Sequence, residues 1–321
     1  MDCFDRPHIR SAQQRKHGRT EYVRDARGVG GGGLVLMLAG LAMVLLCGRA
    51  SAAIIDDLVG NWRFDETTGT FEDISGNGQP LEPVGSPHGT GSDGVLEGAM
   101  DLDGSSFAQR PDTDSGGTVD DPFGAYGVSD TFTAALWLKQ DTLPTEFQWF
   151  MGREDDAEAA GAAGWALRSG TSGRRDRLRF QFRDPHASSG LSIDSTSPVL
   201  NTTDWLHLAV VHQGSLTLAD TRLFVNGAEV SASASGSFNG STETGLPDDA
   251  LFSVGARFVD TGGAVNGLID EAGVWERALS ENEIAILYNN GNGRVITPEP
   301  AAAVGLALML TLICGTRRRH S

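Results

Sequence analysis

Cysteine is nearly absent from this chain of 321 residues, and the few present lie near its two ends. The three cysteines are Cys3, Cys47 and Cys314. The long middle of the chain therefore offers no disulfide framework, no thiol nucleophile and no cysteine-based zinc site.

Basic residues are also scarce, and their distribution is uneven. Lys and Arg number 25 against 42 Asp and Glu, a formal net charge of −17. Many of the basic residues lie at the two ends, so residues 54–297 hold 14 basic and 37 acidic residues, a charge of −23. Because such an acidic segment repels phosphate backbones, nucleic acid is excluded as an expected partner.

Long apolar runs are missing as well. The run at 34–47 has only fourteen residues, whereas a transmembrane helix needs about 20. It follows a basic stretch and precedes an Ala-x-Ala site ending at Ala52, which is the pattern of a secretory signal peptide. We predict cleavage between Ala52 and Ala53, so that residues 1–52 are an extended n-region and signal peptide.

The C-terminal segment, residues 298–321, has three parts. A Pro-Glu-Pro box precedes a mostly apolar stretch and a basic cluster, formed by Pro298, Glu299, Pro300, Arg317, Arg318 and Arg319. A plain tail anchor would share the apolar stretch and the basic end. The order of the three parts resembles the PEP-CTERM sorting signal of Gram-negative bacteria. This resemblance implies that an exosortase-type transpeptidase removes the tail and exports the protein to the cell surface or extracellular polymer, with only transient membrane contact.

Residues 53–297 read as one β-rich domain. Helical periodicity is nearly absent, and short strand-like runs alternate with clusters of Gly, Asp, Asn, Ser and Pro. In Leu178–Arg183 apolar and polar residues alternate, as in a strand packed on one face. The predicted strands are Asn61–Asp65, Thr131–Lys139, Phe147–Met151, Trp165–Arg168, Leu178–Arg183, Trp205–His212, Arg222–Val225, Leu251–Ala256 and Leu268–Glu276.

One helix is predicted late in the chain. Ser280 and Glu283 form a capping-box pattern, after which Ile284, Leu287 and Tyr288 share one face. Gly291 or Gly293 is expected to end this helix. Many short strands and a single late helix predict an all-β fold, an antiparallel jelly-roll β-sandwich of two curved sheets with one short C-terminal helix.

Five sequence blocks, in order, resemble the LamG-like jelly-roll domains of the concanavalin A-like lectin/glucanase superfamily. The blocks are Trp62–Gly69 with Asp73–Gly78, Met100–Gly104, Phe132–Trp137, Trp205–Val211 with Leu223–Gly227, and Gly267–Ile284. The resemblance implies two curved sheets, often with carbohydrate binding on the concave side. It also places four tryptophans at strand positions expected in the core: Trp62, Trp137, Trp205 and Trp275.

Four oxygen-bearing side chains, in Gly-rich turns or at strand ends, suit calcium: Asp65, Asp73, Asn77 and Asp270. The resemblance implies a structural Ca²⁺ that ties the N-terminal loop to the closing strand, with Asp270 as the best-matched ligand. Alternatively, Asp73 and Asn77 form Asx turns and Asp270 caps a loop.

No catalytic residue is predicted. The Glu-x-Asp-x-Glu motif of glucanases occurs once, at 154–158, but Ala and Gly follow it and no apolar residue alternates with the acids. The segment therefore resembles a solvated loop more than the rigid strand that a pair of catalytic carboxyls needs. The histidines of this domain form no hydrolase or zinc motif. His207 and His212 are five residues apart and are expected on opposite sides of one strand.

Ligand-binding candidates are few. Trp149 and Trp165 flank the acidic loop and are candidate platforms for a sugar, unless they pack in the core. The cluster Arg174–Arg179 with Arg183 either meets an acidic polysaccharide or balances neighbouring acids.

Three functions remain open on this sequence. We favour an exported, non-catalytic domain that binds carbohydrate or a surface partner. The alternatives are a glycan-active hydrolase or lyase, and a structural surface or matrix protein without a specific ligand. Ligand identity cannot be read from the sequence, because binding loops vary freely on this fold.

Overall fold

The computed structural model describes residues 54–111, 123, 130–154, 164–183, 190–214, 220–236, 251–257 and 263–296. The strands of this part of the chain are β1 Leu58–Trp62, β2 Glu82–Val84, β3 His88–Gly89, β4 Met100–Asp103, β5 Phe107–Gln109, β6 Thr131–Gln140, β7 Trp149–Glu154, β8 Gly164–Ser169, β9 Leu178–Arg183, β10 Gly190–Ser195, β11 Leu206–Gln213, β12 Thr221–Val225, β13 Ala228–Val230, β14 Ala232–Ser235, β15 Ser253–Val254 and β16 Asn266–Trp275. One α-helix follows them, α1 Glu281–Tyr288.

The strands form two antiparallel sheets. The first sheet has the order β13, β12, β11, β6, β16, β4, β3, and β1 also pairs with β16. The second sheet has the order β14, β10, β9, β8, β7, β15, β5, β2. The two sheets pack as a sandwich with one short C-terminal helix, which confirms the predicted jelly-roll class.

The core lies between the inner faces of the two sheets. Phe132 of the first sheet packs 5.1 Å from Trp165 of the second, measured between ring centroids. Alternation along β9 places Leu178, Phe180 and Phe182 in this core, as the sequence pattern predicts. Their polar neighbours therefore project from the outer face of the second sheet.

The outer face of the first sheet is covered by a smaller apolar cluster. Ile284 and Leu287 of α1 pack there with Phe224 and Trp275. The two strand histidines occupy opposite sides of this sheet, as predicted: His207 packs against Trp137 on the helix side, whereas His212 packs against Phe182 in the core. Both faces of the first sheet are thus occupied by protein.

The start of α1 follows the sequence prediction, and its end does not. Ser280 is the N-cap and exchanges capping-box hydrogen bonds with Glu283. The helix stops at Asn289, which adopts the left-handed conformation (φ 46°), before either predicted glycine. Asn tolerates this conformation better than most residues because its short polar side chain bonds locally.

The hairpin between β12 and β13 packs beneath α1. Asn226 and Gly227 both have positive φ, 51° and 77°, as a two-residue type I′ turn requires. A Cβ atom at Gly227 would lie only 2.8 Å from Cδ1 of Tyr288. The turn therefore needs glycine both for its backbone and for its contact with the helix.

We predict that Gly227→Ala destabilises the domain by about 1–3 kcal/mol more than Gly173→Ala, because only the first change also overpacks a neighbour. Gly173 is the matched control, since it has a similar φ (79°) but open space around its Cα. Chemical denaturation of both variants measures the difference. Equal losses would contradict the contact between the turn and the helix.

Candidate functional site

One polar cluster joins β16 to the N-terminal region. Asp270 accepts hydrogen bonds through Oδ2 from the backbone N–H groups of Val95 (2.7 Å) and Leu96 (3.1 Å). Asp65 accepts one from the Gly98 N–H at 2.7 Å. The loop 93–98 is therefore held between two carboxylates that come from opposite ends of the domain.

A single arginine lies among these carboxyls. Arg63 contacts Glu271 at 3.1 Å, Asp65 at 3.2 Å and Glu97 at 3.4 Å. We call Arg63, Asp65, Glu97, Asp270 and Glu271 the carboxylate cluster. With every carboxyl ionised it has four negative charges and one positive charge.

A β-bulge brings Asp270 and Glu271 into the same cluster. Adjacent residues of a regular strand point to opposite faces, but the register of β16 shifts between Asp270 and Gly273. Glu271 adopts a positive φ of 47° within this irregularity. The sequence alternation alone would have separated these two carboxyls.

The negative charge of the carboxylate cluster is poorly neutralised by the protein. Burial raises the pKa of Asp270 to about 7, with a further rise from the charge of Asp65. Burial and the charge of Asp270 raise the pKa of Glu271 to about 8, although Arg63 opposes the rise. Asp270 Oδ1 and Glu271 Oε2 are buried and have no hydrogen-bond partner among the described residues.

The other two calcium candidates belong to a separate loop. Asp73 Oδ1 accepts from the Asn61 and Ser75 N–H groups, and Oδ2 accepts from the Gln79 N–H and the Ser75 hydroxyl. The Asn77 side-chain amide donates to the carbonyls of Leu58 and Val59, at 2.7 and 3.1 Å. The bond from the Ser75 N–H to Asp73 is that of an Asx turn, whereas the Asn77 side chain bonds the distant strand β1. The structure therefore does not bring Asp73 and Asn77 into the carboxylate cluster.

In the described part of the chain no three His, Cys, Asp or Glu side chains form a metal-binding group. Any cation at the carboxylate cluster would therefore need backbone carbonyls and water among its ligands. Calcium accepts such mixed oxygen sets.

A second polar region covers the outer face of the second sheet. Three cross-strand rows of β7–β10 point outward, opposite the core residues of the same strands. The first row is Trp149, Arg168, Arg179 and Asp194; the second is Gly152, Ala166, Gln181 and Ser192; the third is Glu154, Gly164, Arg183 and Gly190. We call these rows, together with Arg174 and Arg257, the arginine face.

Both carboxylates of the arginine face are held by arginines. Arg179 binds Asp194 through two hydrogen bonds, of 2.6 and 2.8 Å, and Arg174 lies 3.6 Å from the same carboxylate. Glu154 contacts Arg183 at 2.9 Å and Arg257 at 3.8 Å. Four guanidinium groups thus contact the two carboxylates of this face, and the guanidinium of Arg168 is the fifth on it.

Arg168 differs from the other arginines of the face. It is 5% exposed, bonds Gln181 Oε1 at 3.4 Å and its guanidinium lies 4.5 Å from the ring centroid of Phe147. Among the described residues no carboxylate pairs with it. Burial, together with the charges of neighbouring arginines, lowers the pKa of Arg168 to about 10 although the charge of Glu154 opposes the shift, so Arg168 remains cationic at neutral pH.

The structure separates the two tryptophans predicted to form a sugar platform. Trp165 is 0% exposed and packs in the inter-sheet core. Trp149 belongs to the arginine face because a bulge precedes Met151, and it is 1% exposed. Neither ring presents an open face on which a sugar could stack.

Trp205, expected in the core, is instead only partly buried and lies just before β11.

Several predicted site residues lie outside the described residues. They are Ala52 and Ala53 of the signal cleavage site, and Pro298, Glu299, Pro300, Arg317, Arg318 and Arg319 of the sorting signal. The described part of the chain contains no helix with the length and hydrophobicity needed to cross a bilayer.

Sequence reasoning missed the roles of Arg63, Glu271, Arg168 and Asp194. The outward orientation of three polar residues could be predicted, because they alternate with apolar ones: Arg179, Gln181 and Arg183. The other roles depend on which strands pair and where bulges occur, and no local pattern contains that information.

Solved structures similar to this chain include a domain of an extracellular arabinanase and a toxin binding domain. Domain 4 of AbnA, a GH43 extracellular arabinanase from Geobacillus stearothermophilus solved with arabinotriose, is 22% identical, with a TM-score of 0.47 over 71% of this chain and 97% of that one. The botulinum neurotoxin serotype D binding domain is 14% identical, with a TM-score of 0.51 over 75% of this chain. The match spans about half of that toxin domain, 53%. No curated protein sequence matches the chain.

A family model gives the assignment directly. The Laminin_G_3 model, described as the concanavalin A-like lectin/glucanases superfamily, matches residues 111–285, more than half of the chain. The antiparallel sandwich agrees with that match. The protein therefore belongs to the Laminin_G_3 family of the concanavalin A-like lectin/glucanases superfamily.

Proposed function

We propose that the protein is an exported, non-catalytic domain that binds carbohydrate through the arginine face. The supporting observation is the contrast between the two outer faces of the sandwich. An apolar cluster and α1 cover the first sheet, whereas the second sheet presents guanidinium, amide and carboxylate groups in cross-strand rows. Planar polar groups fixed on a rigid sheet suit the recognition of sugar hydroxyl and carboxyl groups.

The carboxylates of the arginine face favour binding over hydrolysis. Glycosidases place their two carboxyls about 5–9.5 Å apart. Glu154 and Asp194 lie three strands and four residues apart in the register, a Cα separation of about 19 Å. Each is also held by an arginine, Asp194 by Arg179 and Glu154 by Arg183.

A glycan array probed with the full-length chain tests this function. We expect binding to at least one polysaccharide without shortening of it. Gln181→Ala should weaken binding about tenfold, because Gln181 bonds both Arg168 and Glu154 and its loss removes a polar contact of about 1 kcal/mol or more. Gln213→Ala is the matched control, since Gln213 is exposed at the end of β11 in the first sheet.

Two results would contradict the proposal. A blank array with a well-folded sample would favour a structural role without a specific ligand. Release of shortened saccharides by the wild type, abolished in Glu154→Gln, would favour a glycan-active hydrolase.

We also propose that the carboxylate cluster holds a structural Ca²⁺, with Asp65 and Asp270 as side-chain ligands. The cluster fits a cation because Asp270 Oδ1 is buried without a partner and because one arginine balances four carboxyls. A bound cation would tie β16 to the loop 93–98 and would replace water around these buried oxygens.

Calcium should raise the thermal stability of the chain, and Asp270→Asn should remove that effect. A calcium concentration 100 times its dissociation constant stabilises by about 2.7 kcal/mol, which raises the Tm by about 5–10 °C for a domain of this size. The Asn variant keeps an acceptor for Val95 and Leu96 but loses the charge. Asp103→Asn is the control, because the Asp103 carboxylate bonds only Ser105 and Ser106. An equal calcium shift in Asp270→Asn and wild type would refute the site.

We propose, finally, that the two ends direct export. The N-terminal pattern supports removal of residues 1–52, and the Pro-Glu-Pro box, apolar stretch and Arg cluster of residues 298–321 support recognition by an exosortase-type transpeptidase. The exported domain would then reach the cell surface or the extracellular polymer, where carbohydrate is present.

Intact-mass spectrometry of the exported protein tests this processing. We expect a mature chain that begins at Ala53 and lacks the C-terminal tail. Changing Pro298, Glu299 and Pro300 to Ala should leave the tail attached and the protein in the membrane fraction, whereas Arg294→Ala, outside the signal, should be processed normally. A secreted wild-type chain that retains Arg317–Arg319 would contradict the sorting proposal.

A further inference from the structure

Two neighbouring side chains of the arginine face have donors that the protein does not match. Trp149 and Arg168 are cross-strand partners on β7 and β8, and both are almost completely buried. The indole N–H of Trp149 has no acceptor among the described residues. Arg168 has a neutral amide oxygen and a backbone carbonyl as acceptors, but no carboxylate. Directly opposed residues have Cβ atoms about 5 Å apart, so one small group can reach both.

The hydrogen-bond acceptors near Trp149 and Arg168 already accept from other donors or from Arg168 itself. Asp194 is held by Arg179 and Arg174, and Gln181 Oε1 accepts from Arg168 itself. The face carries five guanidinium groups against two carboxylates in the described residues, within a segment of charge −23. The charge of Glu154 acts on Arg168, but among the described residues no carboxylate pairs with it directly, and a buried cation is stabilised when a bound group supplies a paired one.

A carboxylate matches this arrangement better than a hydroxyl does. It offers two coplanar oxygens with a full negative charge, which a guanidinium fork binds through two parallel hydrogen bonds. A second lone pair of the same group can accept from the Trp149 indole, which is a donor only. Neutral sugar hydroxyls would leave Arg168 without a directly paired carboxylate.

We propose that the arginine face binds an acidic polysaccharide whose uronate carboxylates are received by Arg168 and Trp149. This inference rests on the proposed glycan-binding function and names its ligand class. Exposure of the arginine side chains rises from 12% at Arg179 to 36% at Arg183 and 52% at Arg174. The outer arginines therefore form a charged surface that a polymer with several carboxylates can contact. Because Trp149 and Arg168 are 1% and 5% exposed, neighbouring side chains must move for a carboxylate to reach the buried pair.

Affinity measurements on the full-length chain with three polymers test the ligand class. The polymers are polygalacturonate, the same polymer after reduction of its carboxyls to alcohols, and a sulfated polysaccharide of matched length. We expect polygalacturonate to bind, the reduced polymer to bind at least tenfold more weakly, and the sulfated polymer to be weaker than polygalacturonate because its oxyanion is tetrahedral rather than planar.

Variants identify the residues. Arg168→Gln should weaken polygalacturonate binding about ten- to hundredfold, as the loss of a charged hydrogen-bonded contact predicts. Trp149→Phe keeps an aromatic ring but removes the N–H, and should weaken binding about threefold or more. Arg222→Gln is the control, because it makes the same change in charge on the first sheet, where Arg222 pairs with Glu229 and Glu281. Thermal unfolding of each variant shows whether it is folded.

The outcomes separate this inference from the proposed function. Equal binding of the reduced polymer, with no effect of Arg168→Gln, would overturn the acidic-ligand inference and leave glycan binding intact. Equal losses in Arg168→Gln and Arg222→Gln would show diffuse charge attraction and would also overturn it. Failure of every glycan to bind the folded chain would overturn both proposals.

Discussion

The whole molecule depends on the burial of two alternating strand faces against each other. Each strand of the sandwich turns its apolar residues towards the shared core, in which Phe132 and Trp165 pack across the two sheets. Alternation then forces the remaining residues of each strand outward. The domain therefore has two outer faces, which differ in what covers them. One is closed by the helix α1, and the other is lined with arginines.

Basic and acidic residues are also distributed unevenly over the domain. Half of the 14 basic residues of the acidic segment 54–297 lie on β8, on β9, in the hairpin between these strands, or at Arg257. Part of the acidic excess lies elsewhere, where Asp65, Glu97 and Glu271 surround Arg63 beside Asp270. An excess of negative charge at one site favours a cation, whereas an excess of positive charge on one sheet favours an anionic ligand. The calcium and acidic-glycan proposals are thus two consequences of one uneven charge distribution.

The sequence was informative wherever the determining signal was local. Ser280 and Glu283 predicted the start of the helix, and the alternation in Leu178–Arg183 predicted a strand with the observed bounds. The resemblance of five sequence blocks to LamG-like domains also predicted the sandwich fold. These features depend on neighbours within a few residues, so they can be read without knowing the pairing of strands.

The candidate sites were less predictable because two β-bulges change the faces of key residues. The irregularity in β16 brings Glu271 beside Asp270, and the one in β7 places Trp149 on the outer face while Trp165 stays in the core. Such shifts depend on long-range pairing. For the same reason, only the folded chain shows that Arg168 pairs with no carboxylate among the described residues.

Ligand binding at the outer face of the second sheet can be followed through the tryptophan indole N–H signals in a ¹⁵N-correlated NMR spectrum. Trp62 and Trp275 donate to the carbonyls of Gln79 and Ile54, whereas Trp149 has no acceptor among the described residues. On titration with polygalacturonate, the Trp149 signal should shift and those of Trp62 and Trp275 should stay in place. Binding that leaves the Trp149 signal unmoved would contradict the account.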